Sequence, residues 1–400
     1  MTVGAVALHA PRHELLRASV RRAPLFGNFV TGCGLMVVVG TLNDITRSLE
    51  VSVSTAGQPI TIVAALVCVG TPLLAGRVAG FDRRRLLTLA MPWYAAGHAL
   101  CALMPSYAAL WPVRAATLLT AAVFTPQAAA AISFMAPPAG RGRYITFVFL
   151  GWSVASVLGL PMASWVGESF GWCTALVALV AAAAMTLIAA GRVFTVIPDG
   201  VKPAGMSRRD WRQVLTNRVL MAMVLVTALS GAGQFTVFLC FTPYYRAALG
   251  ASTEQISLLL MWLVAFCLVG NMVLARVVDR VGANAAVATT LALVALSLLL
   301  WPLAPTILSM ATVSIPWALG CFSSNSTQQA RLSTVAPALA PALLALNTSA
   351  IYIGQAAGAA SGGWLIAQAG YAPLSRLALG WVTLAIGLSL WVGRRQHALA

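Results

Sequence analysis

Charged residues are the scarcest ingredient of this chain. Of 400 residues only 8% are charged, and just nine are acidic. A water-soluble globule carries roughly 25% charged residues, because its surface has to be wetted. A chain with a third of that has too little polar surface, and its outer face must be wetted by lipid instead. Catalytic chemistry is also missing. No Ser–His–acid set, zinc spacing or carboxylate pair falls within the apolar runs, which argues against an enzyme and implies no cofactor or metal. The seven cysteines (Cys33, Cys68, Cys101, Cys173, Cys240, Cys267 and Cys321) all lie in apolar runs. They form no paired framework and read as small packing residues. Residues 1–23 are studded with Arg and lack an apolar core. No cleavable signal peptide is expected there, and the first span should act as its own insertion signal.

What is present in abundance is apolar length. Sixty per cent of the residues are hydrophobic and the mean hydropathy is +0.87. A membrane-spanning helix needs about 20 predominantly apolar residues. Such runs lie near 24–43, 57–78, 86–104, 108–134, 144–166 and 173–191, then 219–243, 255–277, 284–303, 306–328, 338–366 and 376–392. None shows the polar/apolar alternation of a barrel strand, so the expectation is an all-α integral membrane protein of twelve transmembrane helices.

The net charge of +16 could suggest a nucleic-acid partner, but its placement points to topology. Basic residues cluster on one side of the predicted spans. They are Arg12, Arg17, Arg21 and Arg22; Arg77 and Arg83 to Arg85; Arg141 and Arg143; and Arg192, Lys202, Arg208, Arg209, Arg212 and Arg218. Arg276, Arg280, Arg331, Arg394 and Arg395 complete the set, against only Arg47, Arg246 and Arg376 opposite. Positive loops stay in the cytoplasm, so both termini are expected there, in a multi-pass protein of the inner or plasma membrane with no nucleic-acid role. For Arg83 to Arg85 the favoured reading is topology and contact with anionic lipid.

The longest polar break, 192–218, divides the chain six spans to six. The expected units are an arm (1–23), a first bundle (24–191), the linker (192–218), a second bundle (219–392) and a tail (393–400). Internal similarity supports the division. Val69, Gly70, Leu74, Ala75 and Val78 recur as Val269, Gly270, Leu274, Ala275 and Val278, and Trp165, Gly171 and Trp172 are echoed by Trp364, Gly370 and Tyr371. A six-plus-six repeat is the signature of a two-bundle transporter.

From about residue 28 onward the chain resembles the major facilitator superfamily, and within it the sugar-efflux (arabinose-efflux-like) branch of the drug–proton antiporters. The stretches that carry the resemblance are Leu49 to Gly57, Gly159 to Pro161 with Gly171 and Trp172, and Ala336 to Ala342 running into Asn347, Thr348 and Ser349. It implies two pseudo-symmetric six-helix bundles that rock about a central site. Asp279 and Arg280, in the loop after the eighth span, match a cytoplasmic motif that latches the halves; a solvated loop pair is the alternative. Gly159 and Pro161 resemble an antiporter motif, with Ala163 and Ser164 where further glycines usually stand. They and the Gly354, Gly358 and Gly362 stripe could serve a sliding bundle interface or static packing. Arg114 matches the fourth-span Arg of proton-coupled relatives. It either faces the cavity or snorkels to the outer interface.

In this fold spans 1, 4, 7 and 10 line the cavity. The candidate solute contacts are therefore Arg114 with Asn28, Thr31, Thr117, Thr125 and Gln127, then Thr227, Ser230 and Gln234, and Trp317, Ser324, Asn325 and Gln328, joined by Asn347 and Tyr352 from span 11. Together they describe a largely neutral, hydrogen-bonding cavity. Proton coupling normally uses a buried carboxylate, yet all nine acids fall in loops or at span ends. Asp44 is the remaining proton candidate, and His98 in span 3 reads as a packing residue. The expected function is efflux of a small sugar-like or drug-like solute by a monomeric secondary transporter in the lipid bilayer, with the proton as coupling ion. An uncoupled facilitator or exchanger, or a receptor or scaffold on the same fold, is the alternative.

Overall fold

The computed structural model describes residues 18–50, 65–74, 78, 81–136, 141–191, 207–238 and 240–396. Within them the regular structure is helical. In chain order the helices are α1 (Ala18–Gly40), α2 (Leu42–Ser48), α3 (Ala65–Leu74), α4 (Arg83–Ala102) and α5 (Tyr107–Met135). Then α6 (Arg141–Val154) runs through a π-helical turn (Ala155–Gly159) into α7 (Leu160–Phe170), followed by α8 (Trp172–Gly191). The second half holds α9 (Arg208–Thr216), α10 (Arg218–Phe238), α11 (Phe241–Leu249), α12 (Thr253–Val281), α13 (Ala283–Leu300), α14 (Ile307–Val335), α15 (Ala340–Ala369) and α16 (Leu374–Gln396).

Eight of these stretches are long and apolar enough to cross a bilayer among the described residues. With α1, α3, α4 and α8 they make the twelve-helix bundle expected from the apolar runs. The local reasons lie in the caps. Ser106, Ser252 and Thr306 each accept a backbone N–H at a helix start, and the last two form full capping boxes. Gly171 and Gly282 take φ of 86° and 83°, which lets α7 turn at once into α8 and α12 into α13. The lipid face is apolar: Trp93, Trp165 and Trp364 are more than half exposed.

Three expectations change. The break 192–218 is not all loop: its end folds into the short amphipathic helix α9, which buries Val214. The tenth span runs seven residues past its predicted end, to Val335, so Arg331 is no loop residue. It is 1% exposed and donates to Ser389 Oγ (3.0 Å) and to the Ser389 carbonyl. Arg83, read as a lipid-contacting loop residue, is fully buried and donates to the Val78 carbonyl at 3.2 Å.

Within the second half α10 packs on α15 and α16, and α14 on α12 and α13; within the first, α4 packs on α8 and α5, and α1 on α6. The halves meet where α6 packs on α12 and α14, and α5 on α15. Leu344 of α15 sits in one core with Phe124, Ala128 and Ile132 of α5. Here α5 ends, α6 begins, and the stretch of α14 up to Ser333 is almost continuously buried. This is the end of the bundle at which α1 starts and α16 finishes.

Candidate functional site

The predicted polar residues gather into two clusters, one in each half. In the first, Asn28 on α1 is central. Its Nδ2 donates to the Val148 carbonyl (3.1 Å) and its Oδ1 accepts from Thr125 Oγ1 of α5 (2.9 Å). Trp152 Nε1 of α6 donates to Thr125 Oγ1 at 3.1 Å, a member the sequence reading missed. Gln127 is buried nearby in sequence, and its Oε1 has no partner among the described residues. Thr31 and Thr117 stand apart: each hydroxyl donates to a carbonyl of its own helix, Gly27 and Val113 respectively.

Arg114 takes neither expected position. It is 3% exposed, and its Nη2 donates to the Gly34 carbonyl of α1. Tyr94 and His98 of α4 line the same spot, since a Cβ added to Gly34 would meet Tyr94 Oη and lie 3.1 Å from His98 Nε2. The guanidinium therefore sits inside the first bundle between α1, α4 and α5. Among the described residues its Nη1 has no partner and no acidic side chain acts on it. A buried cation without a carboxylate is costly.

The second cluster joins α10, α14 and α15. Thr227 Oγ1 donates to Asn347 Oδ1 (2.5 Å), and Gln234 Nε2 donates to Ser230 Oγ (2.8 Å) and Ser324 Oγ (2.9 Å). Thr227, Ser230, Ser324, Asn325 and Gln328 line a small void with Val226, Val287 and Leu291. Trp317, expected in the cavity, is instead wholly buried in an aromatic nest, stacked on Phe238 and edge-on to Phe241. A large ring finds more dispersion partners there than at a polar wall. Tyr352 reaches the opposite half, packing against Val30, Val67 and Leu118.

The glycine stripe is also placed differently from the expected sliding seam. A Cβ at Gly354, Gly358 or Gly362 would lie 2.3, 2.3 or 2.8 Å from the carbonyl oxygens of Ala228, Ala232 and Thr236. The stripe thus joins α15 to α10 within one half. Gly159 likewise faces Cys33 and Met36 of α1, within the first half. The Pro161 and Ser164 side chains lie outside the described residues, as does Ala79 in the first-half loop.

Among the described residues the polar ties between the halves are few. Asn271 Nδ2 of α12 donates to Ser153 Oγ of α6 at 2.6 Å in a buried position. Ser349 Oγ donates to the Cys68 carbonyl, and Cys68 Sγ to the Ser349 carbonyl at 3.7 Å. Asp279 accepts the N–H of Arg143 at 3.0 Å, and its Oδ1 lies so near Gly142 that a Cβ there would come within 2.7 Å. Arg280 is exposed. The Asn271 tie was legible in principle: it directly follows Gly270 in the internal repeat, where Thr71 follows Gly70.

The described acids are largely occupied at helix ends. Asp44 accepts the Trp172 N–H (2.5 Å) that opens α8, Asp82 the Arg85 N–H (3.1 Å) that opens α4, and Asp210 the Ser207 N–H (2.7 Å) before α9. Unpaired N–H groups at a helix start attract an anionic acceptor, so each carboxylate has a structural partner.

Comparison with known proteins agrees with this architecture. The family model for the Major Facilitator Superfamily matches residues 25–359. The uncharacterized MFS-type transporter YbcL of Bacillus subtilis is 25% identical over 373 residues, covering 92% of this chain and 94% of that protein. The inner membrane transport protein YdhP of Escherichia coli K12 is 26% identical over 341 residues, covering 85% and 87%. Among solved structures, the human organic anion transporter MFSD10 superposes with a TM-score of 0.77 at 15% identity, covering 95% of this chain and 99% of that one. The proton:xylose symporter XylE superposes with a TM-score of 0.67 at 16% identity, covering 92% and 94%.

Proposed function

Because this chain belongs to the major facilitator superfamily, a family of membrane transporters, we propose that it exports a small organic solute by alternating access between its two halves. The observation that carries the reading is the pair of neutral polar clusters, Asn28–Thr125–Trp152 and Thr227–Asn347 with Ser230–Gln234–Ser324, one in each half. Buried polar groups with spare capacity, Gln127 Oε1 and Asn347 Nδ2 among them, suit a solute rich in hydroxyls or an uncharged amphiphile. The halves meet at the terminus-bearing end, through Asn271–Ser153, Ser349–Cys68 and Asp279 on the start of α6. Taking that end as cytoplasmic, in a bacterial-type inner membrane, this is the outward-facing state. Opening inward breaks those three ties, and Asp279 is the latch. The resemblance carried by Leu49 to Gly57 and Gly159 to Pro161 favours the sugar-efflux branch of the antiporters.

A second reading, an uncoupled facilitator, draws on the acids: Asp44, Asp82, Asp210 and Asp279 all hold helix ends, so none of them is free to carry a proton through the membrane. Both readings are tested by purifying the protein into liposomes, imposing a pH gradient and following a panel of sugars and amphiphiles. Uphill movement that collapses with the gradient supports antiport. Gradient-independent exchange supports the facilitator, and no flux of any panel member would sink both.

A further inference from the structure

The end of the bundle at which α16 finishes has a charged surface that the proposed transport leaves unused. Helix α9 packs on this end. Its Val214 is buried in one core with Leu220 of α10, Leu343 of α15 and Val392 of α16, and Trp211 packs against that core. At about 100° per residue, Arg208 and Arg212 point away from Val214, while Trp211 and Leu215 occupy the flank between. Leu215 is 53% exposed, and it lies within about 60° of both arginines around the helix. Arg208, Arg209, Arg212 and Arg218 are exposed, as are Arg394 and Arg395 at the end of α16. Against these six, helices α9, α10, α15 and α16 carry one acid, Asp210. Its carboxylate already accepts the Ser207 N–H and hydroxyl, each at 2.7 Å. Helices α10, α15 and α16 are membrane spans, so the patch stands where the lipid-wetted wall ends. Leu390 and Trp391, both exposed on α16, come one turn before Arg394 and Arg395. Apolar side chains beside arginine at this level suit a helix seated in the headgroup layer. Alkyl and indole groups reach the acyl boundary, and guanidinium groups stay with the phosphates.

We infer that α9, together with the exposed end of α16, docks on anionic phospholipids of the adjoining leaflet, its arginines on the headgroup phosphates. The bias of positive charge toward the cytoplasm accounts for arginines on this side of the membrane. It does not account for their convergence on one face of a folded amphipathic helix, with an exposed leucine among them. Guanidinium groups fork onto phosphate oxygens, so several together favour a leaflet of net negative charge over a zwitterionic one. A nucleic acid would match the charge but leave Leu215 in water. Docking fixes the start of the second half to the bilayer surface, whichever solute is carried. The inference rests only on the chain spanning a membrane.

Docking is measured without transport. The full-length protein is placed in nanodiscs of phosphatidylcholine, with or without added phosphatidylglycerol, and hydrogen exchange is followed at the amides of α9. Phosphatidylglycerol is expected to slow that exchange about tenfold, and high salt to cancel the slowing, because exposed charges are screened. Two variants should lose the slowing while exchanging like the wild type in phosphatidylcholine. One combines Arg208→Gln, Arg209→Gln and Arg212→Gln; the other is Leu215→Gln alone. Leu215→Gln keeps every charge, and with it the membrane topology, so it decides the matter even where the triple variant inserts wrongly. Equal exchange in the two lipids would overturn the inference, as would slowing that survives in Leu215→Gln or in a correctly inserted triple variant. Equal slowing in phosphatidylcholine by inorganic phosphate or a short oligonucleotide would overturn it too, making the patch a site for soluble anions.

Discussion

At the scale of single residues, Arg114 carries the sharpest consequence. It is a guanidinium sealed between α1, α4 and α5, held by one carbonyl and answered by no carboxylate among the described residues. Such a charge contributes little to folding, since a neutral side chain of similar bulk removes the cost of burying it. Arg114→Met, which keeps the bulk and drops the charge, is expected to insert normally and unfold at an unchanged or higher temperature, yet to bring solute flux to background. Normal flux in that variant would make Arg114 a packing residue. The position of Arg114 within a span was legible from its place among apolar neighbours. Its direction was not, because one residue cannot show which neighbouring helix it faces. Arg331 was misread for a related reason: the polar stretch Gln329 to Ser333 resembles a loop by composition, although it is helix buried among other helices.

At the scale of elements, the twelve spans were readable because lipid demands long apolar runs, and α5, α8, α10, α13 and α15 begin within a few residues of their predicted starts. Their partners were not readable. The Gly354, Gly358 and Gly362 stripe announces a close helix contact but not with which helix, and only the fold shows it to be α10. Because a Cβ at Gly358 meets the Ala232 carbonyl, Gly358→Leu is expected to cost about 1–3 kcal/mol, measured by thermal unfolding. Helix α9 offers a pH test outside the membrane. Hydrogen bonds from Ser207 hold the Asp210 carboxyl below the usual carboxylate range. A lowered folded value means the cap's contribution is complete above the ordinary carboxylate pKa and is lost as pH falls through the lowered one. Hydrogen exchange at α9 should therefore rise in acid, and Ser207→Ala should show that faster exchange already at neutral pH.

At the scale of the whole molecule, the seam between the halves is the feature composition could not show. Apart from Asp279, singled out by its loop motif, and Asn271, placed by the internal repeat, its ties are ordinary Ser, Cys and backbone groups with nothing distinctive in their spacing. The reciprocal contact of Cys68 and Ser349 makes the seam testable. Ser349→Cys is expected to form a disulfide with Cys68 under mild oxidation, to stop flux, and to recover fully on reduction. Unimpeded flux with the disulfide formed would show that the halves do not separate there. The fifth span adds a constraint on how this protein can be recombined with its relatives. A π turn carries one residue more than the α-helix around it, so the faces of α6 and α7 are offset by about 100°. A chimera that borrowed this span from a protein lacking the extra residue would keep α6 on α12 and α14 but rotate everything beyond it. The sides of Met162 and Trp165 would then turn from the bilayer toward neighbouring helices, and a graft faultless by alignment would be out of register by a single residue.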